Sequence, residues 1–132
     1  TPLETHTEYE YEMIWPIPNG KYINGSKLTK FESNSYKVNW WLIKNNTAYE
    51  TNGTAIFSPY KGNTILYYKV YVHPKTIFAK LLKNKMTNGV ITSIAAIKDH
   101  IELLKSQNSI LLQKYSLKIT NALQGNFTYR NK

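Results

Sequence analysis

The sequence has no cysteine at all. It therefore offers no disulfide, no thiolate nucleophile and no cysteine-ligated metal. The three histidines, His6, His73 and His100, are scattered at spacings that suit no metal, so no metal site is expected. His100 follows Asp99 directly, and neighbours on a helix point in different directions, which excludes a dyad there. No run reaches the roughly 20 apolar residues that a membrane-spanning helix needs. No short apolar segment with a small-residue cleavage site opens the chain. A soluble protein is expected, with its compartment open: the sequence begins at Thr1 rather than Met, so it is processed or cut from something longer. Gly-rich phosphate loops, RNP-type motifs, internal repeats and low-complexity segments are missing too, and no cofactor is expected.

Acidic residues are also scarce, eight against 17 Lys and Arg. The imbalance is local. Residues 1–74 carry seven Lys and six Glu, whereas residues 75–132 carry nine Lys and Arg130 against Asp99 and Glu102. The basic half is a candidate surface for anions, and the plainer alternative is a solvated helix face. What the sequence has in quantity is apolar and aromatic residues, 42% and 14% of 132. That is enough for a core and excludes a disordered chain, so one domain over residues 1–132 is expected, with a polar tail at 121–132.

The first half reads as strands. In Glu8 to Trp15 the acids take alternate positions, which puts Tyr9, Tyr11, Met13 and Trp15 on the other face. Pro16 and Pro18 end that strand, and Asn19-Gly20 turns into a second one over Lys21 to Phe31. Ser33-Asn34-Ser35 is the next turn. Tyr36 to Lys44 is a third strand, with Val38, Trp40 and Leu42 on one face and Trp41 and Ile43 on the other. A shorter strand over Thr54 to Ser58 is expected between Asn52-Gly53 and Pro59. Lys61-Gly62-Asn63 reads as a hairpin turn. Thr64 to His73 is dense in β-branched and aromatic residues and is the clearest strand.

Beyond Pro74 the apolar period lengthens from two to about 3.6. A short helix is expected over Thr76 to Lys85, interrupted at Asn88-Gly89. After it, Val90, Ile94, Ile97, Ile101, Leu104, Asn108, Leu111 and Tyr115 follow steps of four and three along one long helix that ends before Gly125. Lys98, Glu102 and Lys105 are expected on its other side. Strands first and a long helix last give an α+β class, with the helix over an antiparallel sheet.

In this order the residues resemble the START-like superfamily of lipid-binding proteins and polyketide cyclases, also called SRPBCC. Glu12-Met13-Ile14-Trp15-Pro16-Ile17-Pro18-Asn19 resembles its strand ending in a Trp-Pro-Leu-Pro/Ser-Asn type motif. Thr54-Ala55-Ile56-Phe57-Ser58-Pro59, followed by Gly62-Asn63-Thr64-Ile65-Leu66-Tyr67-Tyr68, is similar to its strand, Pro-Gly turn and Thr-x-Val-x-Tyr strand. His73-Pro74 through Lys80-Leu81-Leu82-Lys83-Asn84 has the spacing of its Asp-Pro-Gly-Gly to Leu-Val-Asn segment. The likeness runs from about Glu4 to Leu104, and it is the order and spacing of the motifs that carry it. Gly20-Lys21 stands where the family has Arg-Asp, His73 where it has Asp, and Lys75-Thr76 where it has two glycines, which puts shared polar chemistry in doubt. The resemblance implies a helix-grip fold, a curved antiparallel sheet packed against a long C-terminal α-helix. It also implies that a first strand and two short helices belong before Thr1, or that a second copy fills that gap in a homo-oligomer.

A helix-grip protein holds an apolar ligand between sheet and helix. The residues expected to line such a cavity are Tyr9, Tyr11, Trp40, Phe57, Tyr68, Val70, Ile94, Ile97 and Ile101. Ordinary core packing is the alternative for each. Buried phenols need hydrogen-bond partners, so converging tyrosines can orient a ligand. The function expected is non-catalytic binding or transfer of a lipid-like molecule, with the basic half resting on an anionic membrane surface during delivery. Two alternatives stay open. A polyketide cyclase would use the same cavity and differ little in sequence. A nucleic-acid-binding module would use the tyrosines and the basic half, but the aromatics lie on strands and the charge on helices, which argues against it. Glu8, Glu10 and Glu12 could supply an acid or base, although acids on alternate residues more simply mark a solvated strand face.

Overall fold

The computed structural model describes residues 3–11, 20–45, 48–74 and 79–126. The chain divides into two compact units, Thr1–Thr76 and Ile77–Lys132. Among the described residues the first holds strands and the second helices.

The β unit is one five-stranded sheet: β1 (Leu3–Tyr11), β2 (Gly20–Lys30), β3 (Tyr36–Asn45), β4 (Ala48–Tyr60) and β5 (Asn63–Pro74). Its spatial order follows the chain, and every neighbouring pair is antiparallel, so the sheet is a meander with β1 and β5 at its edges. Local chemistry sets the turns. Lys61 and Gly62 both have positive φ, 46° and 77°, as the two central residues of a type I′ hairpin turn require. Asn34, at φ 56°, occupies the left-handed region that Asn tolerates, and the Phe31 amide closes that turn by donating to the Ser35 carbonyl at 2.8 Å.

Three strand boundaries differ by more than one residue from those expected. β1 begins at Leu3, ahead of any apolar alternation, because an edge strand needs only its ladder and polar pairs such as Thr5 with Ser26 (2.8 Å). β4 is longer than Thr54 to Ser58 and runs through both Asn52-Gly53 and Pro59. Pairing of β4 with β3 stops at Phe57, which leaves one side of Pro59 with no ladder bond that would need an amide. Gly53 stays in the strand for a packing reason. It lies opposite Trp40, and Gly25 lies opposite Trp41. Consecutive strand residues point to opposite faces, so each indole lies on its own side of the sheet over a glycine that has no side chain to obstruct it. A Cβ on Gly25 would sit 2.6 Å from Cζ2 of Trp41, and one on Gly53 would collide with Trp40.

The α unit consists of α1 (Ala79–Gln107) and α2 (Ser109–Leu123). The expected interruption at Asn88-Gly89 does not occur, because one mid-helix glycine costs only about 1 kcal/mol and the apolar period continues past it. The break falls instead at Asn108, a residue expected to lie inside one unbroken helix. Its backbone leaves helical geometry at φ −148°, ψ 62°, and its side chain accepts from the Leu111 amide at 3.1 Å. Asn thereby caps α2, a role for which its short acceptor suits it. At the far end Gly125 has φ 84°, and the amides of Gly125 and Asn126 donate to Ala122 and Asn121 (3.0 and 2.8 Å). This paired pattern is a Schellman stop, and it needs a residue at ease with positive φ. Residues 121–123, placed with the tail in the sequence, belong to this helix. No helix among the described residues is long and apolar enough to cross a membrane.

Candidate functional site

Antiparallel partners share a face of the sheet, so the registers sort the strand residues into two sets. One face carries Tyr9 and Tyr22, Leu28 and Val38, Trp40, Ala55 with Tyr68, Phe57 with Leu66, and Val70 opposite Gly53. The other carries Glu4, Glu8, Glu10, Lys21, Lys27, Lys37 and Lys69 among Trp41, Ile56, Tyr67 and Tyr71. A bulge where β2 meets β3 at Ile23/Asn24 re-aims the end of β3, turning Lys44 to the charged face. Among the described residues the aromatic face holds one ionised side chain, Lys30, at the β2–β3 end with its ammonium 5.7 Å from the ring centre of Tyr36.

Five of the six sheet residues expected to line a ligand site fall on the aromatic face, Tyr9, Trp40, Phe57, Tyr68 and Val70; Tyr11 pairs with Gly20 along β2, and its side chain lies outside the described residues. Their contacts form two aromatic groups. Tyr9 and Tyr22 stack with centroids 4.8 Å apart and planes at 15°. Trp40 reaches across β4, over Gly53, to Tyr68 on β5, with centroids 5.1 Å apart. That reach depends on the glycine, since any side chain at position 53 would stand between the two rings. Burial beside the indole pushes the Tyr68 phenol above its ordinary pKa. Even so, Tyr9, Tyr68 and Val70 keep 44%, 36% and 39% of their surface exposed, so the sheet does not bury these side chains by itself. It offers a ligand flat aromatic area and phenol hydroxyls.

One polar atom on this face is unsatisfied. Asn24 Oδ1 is buried and accepts no hydrogen bond among the described residues, a state that costs about 1–3 kcal/mol. Asn24 lies between Thr7 on β1 and Leu42 on β3.

The three helical candidates lie on α1, at steps of three and four along one side. Ile94 is half-buried, and Ile97 and Ile101 are 56% and 43% exposed. Lys98 and Lys105 do not take the opposite side as expected: each follows Ile94 or Ile101 by four residues and so borders the apolar stripe. On the other sheet face, the expected solvated role of Glu8 and Glu10 agrees with their exposure, and Glu10 pairs with Lys21 at 3.5 Å. Glu12, Met13 and Trp15, and with them the first stretch of the START-like resemblance, lie outside the described residues. No group of three or more His, Asp or Glu among the described residues could hold a metal.

Tyr22, Asn24, Leu28, Val38 and Leu66 share the aromatic face and were not among the residues expected to line the site. In β2 the face reads Tyr-Asn-Ser-Leu at alternate positions, a mixed signal that becomes apolar only when its neighbours on β1 and β3 are known. No family model, curated protein or solved structure matches this chain.

Proposed function

We propose that this chain is a non-catalytic binding module for a lipid-like apolar molecule, held against the aromatic face of the meander sheet. What supports this is the segregation of the faces: Tyr9, Tyr22, Trp40, Phe57, Tyr68 and Val70 share one side of the sheet, and the strand charges other than Lys30 occupy the opposite side. A monomeric soluble domain rarely leaves a large apolar patch open unless it binds something. The START-like likeness and the closure of this face by the long helix, as in a helix grip, belong to the same proposal. Because there is no native cysteine, that closure can be tested without background: Val70→Cys combined with Ile97→Cys should join through a short bifunctional thiol reagent, and the pair Lys69→Cys with Ile97→Cys should not.

The binding itself is tested by native mass spectrometry and organic extraction of the purified protein, followed by titration with a fluorescent fatty acid. Co-purified apolar molecules or saturable uptake of the probe are expected. A protein that is consistently empty and takes up no probe would rule out the carrier role.

A further inference from the structure

The two edges of the sheet are built differently. An edge strand presents a row of unpaired amides and carbonyls, and proteins that stay monomeric guard such rows with charge, proline or a short strand. β1 is guarded, with Glu4, Glu8 and Glu10 all on one face of the strand. β5 has none of these devices over most of its length: it runs for 12 residues, its one proline is the last residue, and Lys69 is its one formal charge apart from the titratable His73. Ile65, Tyr67, Tyr68, Val70 and Tyr71 are each between 36% and 56% exposed.

The geometry points to β5 as a self-association edge that pairs antiparallel with β5 of a second copy, about a two-fold axis at Tyr68. This inference is independent of the ligand proposal. The sequence of β5 is self-complementary in that register. Tyr68 meets Tyr68 of the second copy, Leu66 meets Val70, Thr64 meets Val72 and Ile65 meets Tyr71. Lys69 lands opposite Tyr67, where an ammonium beside an aromatic ring is favourable. Residues 63 to 73 all find partners within β5. Moving the axis to Lys69 would set the two ammonium groups against each other, which disfavours that register. A two-fold axis perpendicular to the sheet keeps each face continuous with its counterpart, so the aromatic faces of the two copies join. Within the β unit itself charge is nearly balanced, seven Lys against six Glu over residues 1–74. The closed, isologous contact also uses up the open edge in both copies at once.

Sedimentation velocity of the chain over a range of micromolar concentrations should show a monomer–dimer equilibrium. Tyr67→Lys puts two like-charged pairs across the axis and should weaken the dimer by about tenfold, while Glu8→Lys on β1 should leave it unchanged. Single substitutions Thr64→Cys, Leu66→Cys, Tyr68→Cys, Val70→Cys and Val72→Cys locate the axis. Under mild oxidation the covalent dimer should form best at position 68, where facing Cα atoms are about 4.5–5.5 Å apart and within disulfide reach. A species that stays monomeric, a dimer indifferent to Tyr67→Lys but weakened by Glu8→Lys, or cross-linking that peaks away from position 68 would overturn the proposal.

Discussion

Replacing Gly53 with alanine tests the packing on which the aromatic face is built. The added Cβ would collide with the six-membered ring of Trp40 and would also sit 2.6 Å from the Lys69 carbonyl oxygen. The ring could rotate away, but the carbonyl belongs to the backbone of β5 and is held by the β4–β5 ladder. Overpacking typically costs 1–3 kcal/mol, and a backbone obstacle places this site near the top of that range. Removing a glycine from the unfolded chain returns only about 0.4–1 kcal/mol. A net loss of about 2 kcal/mol is therefore expected for Gly53→Ala. For Gly25→Ala the three nearest atoms all belong to the Trp41 side chain, which can move, and the change should cost about half as much. Urea unfolding followed by far-UV circular dichroism measures both. In a Trp40→Ala background the cost of Gly53→Ala should shrink by about 1 kcal/mol, since the ring part of the clash is gone. Equal stability of Gly53→Ala and the parent, or a larger loss for Gly25→Ala, would refute the idea that Trp40 lies over Gly53.

Further outcomes are expected elsewhere. Gly89 is a mid-helix glycine with open space where its Cβ would be, so Gly89→Ala should stabilise α1 by about 1 kcal/mol, read as a higher thermal midpoint at 222 nm. Gly125→Ala should do the reverse by about 1 kcal/mol, because φ 84° suits glycine alone at the Schellman stop; faster exchange of the Asn126 amide would report it. Lys61 holds positive φ in the I′ turn, and Lys61→Asn should stabilise the β4–β5 hairpin by about 0.5–1 kcal/mol in the same urea assay. The raised Tyr68 pKa means that the fold favours the protonated phenol. Its contribution is intact below the ordinary value of 10.0 and is lost as pH climbs through the higher folded value. Tyr68→Phe should therefore flatten the alkaline fall in stability; an unchanged slope above pH 10 would contradict the burial of that hydroxyl.

Much of the β unit was legible because alternation survives in single strands. Val38 and Trp40, or Leu66, Tyr68 and Val70, declare a common face without help from neighbours. The I′ turn was equally local, since Lys61-Gly62 carries its own chemistry. What could not be read was anything fixed by register. Asn52-Gly53 looks like a turn until Trp40 is set opposite Gly53, and Asn24 looks like a surface residue until Thr7 and Leu42 flank it. The helical break was missed for a similar reason. Asn88-Gly89 has the composition of an interruption, whereas Asn108 sits in phase with the apolar stripe and ends α1 through a capping bond that composition does not reveal. The candidate residues on the sheet could be grouped because each strand's pattern was strong, and their convergence on one face followed from the order of the meander.

Trp40 and Trp41 lie on opposite faces of one strand, which makes them paired reporters of where a ligand binds. In a Trp15→Phe background, a brominated fatty acid, which quenches indoles at short range, should quench the fluorescence saturably. Trp40→Phe should abolish that quenching and Trp41→Phe should preserve it. Quenching that follows Trp41, or none that saturates, would contradict binding at the aromatic face.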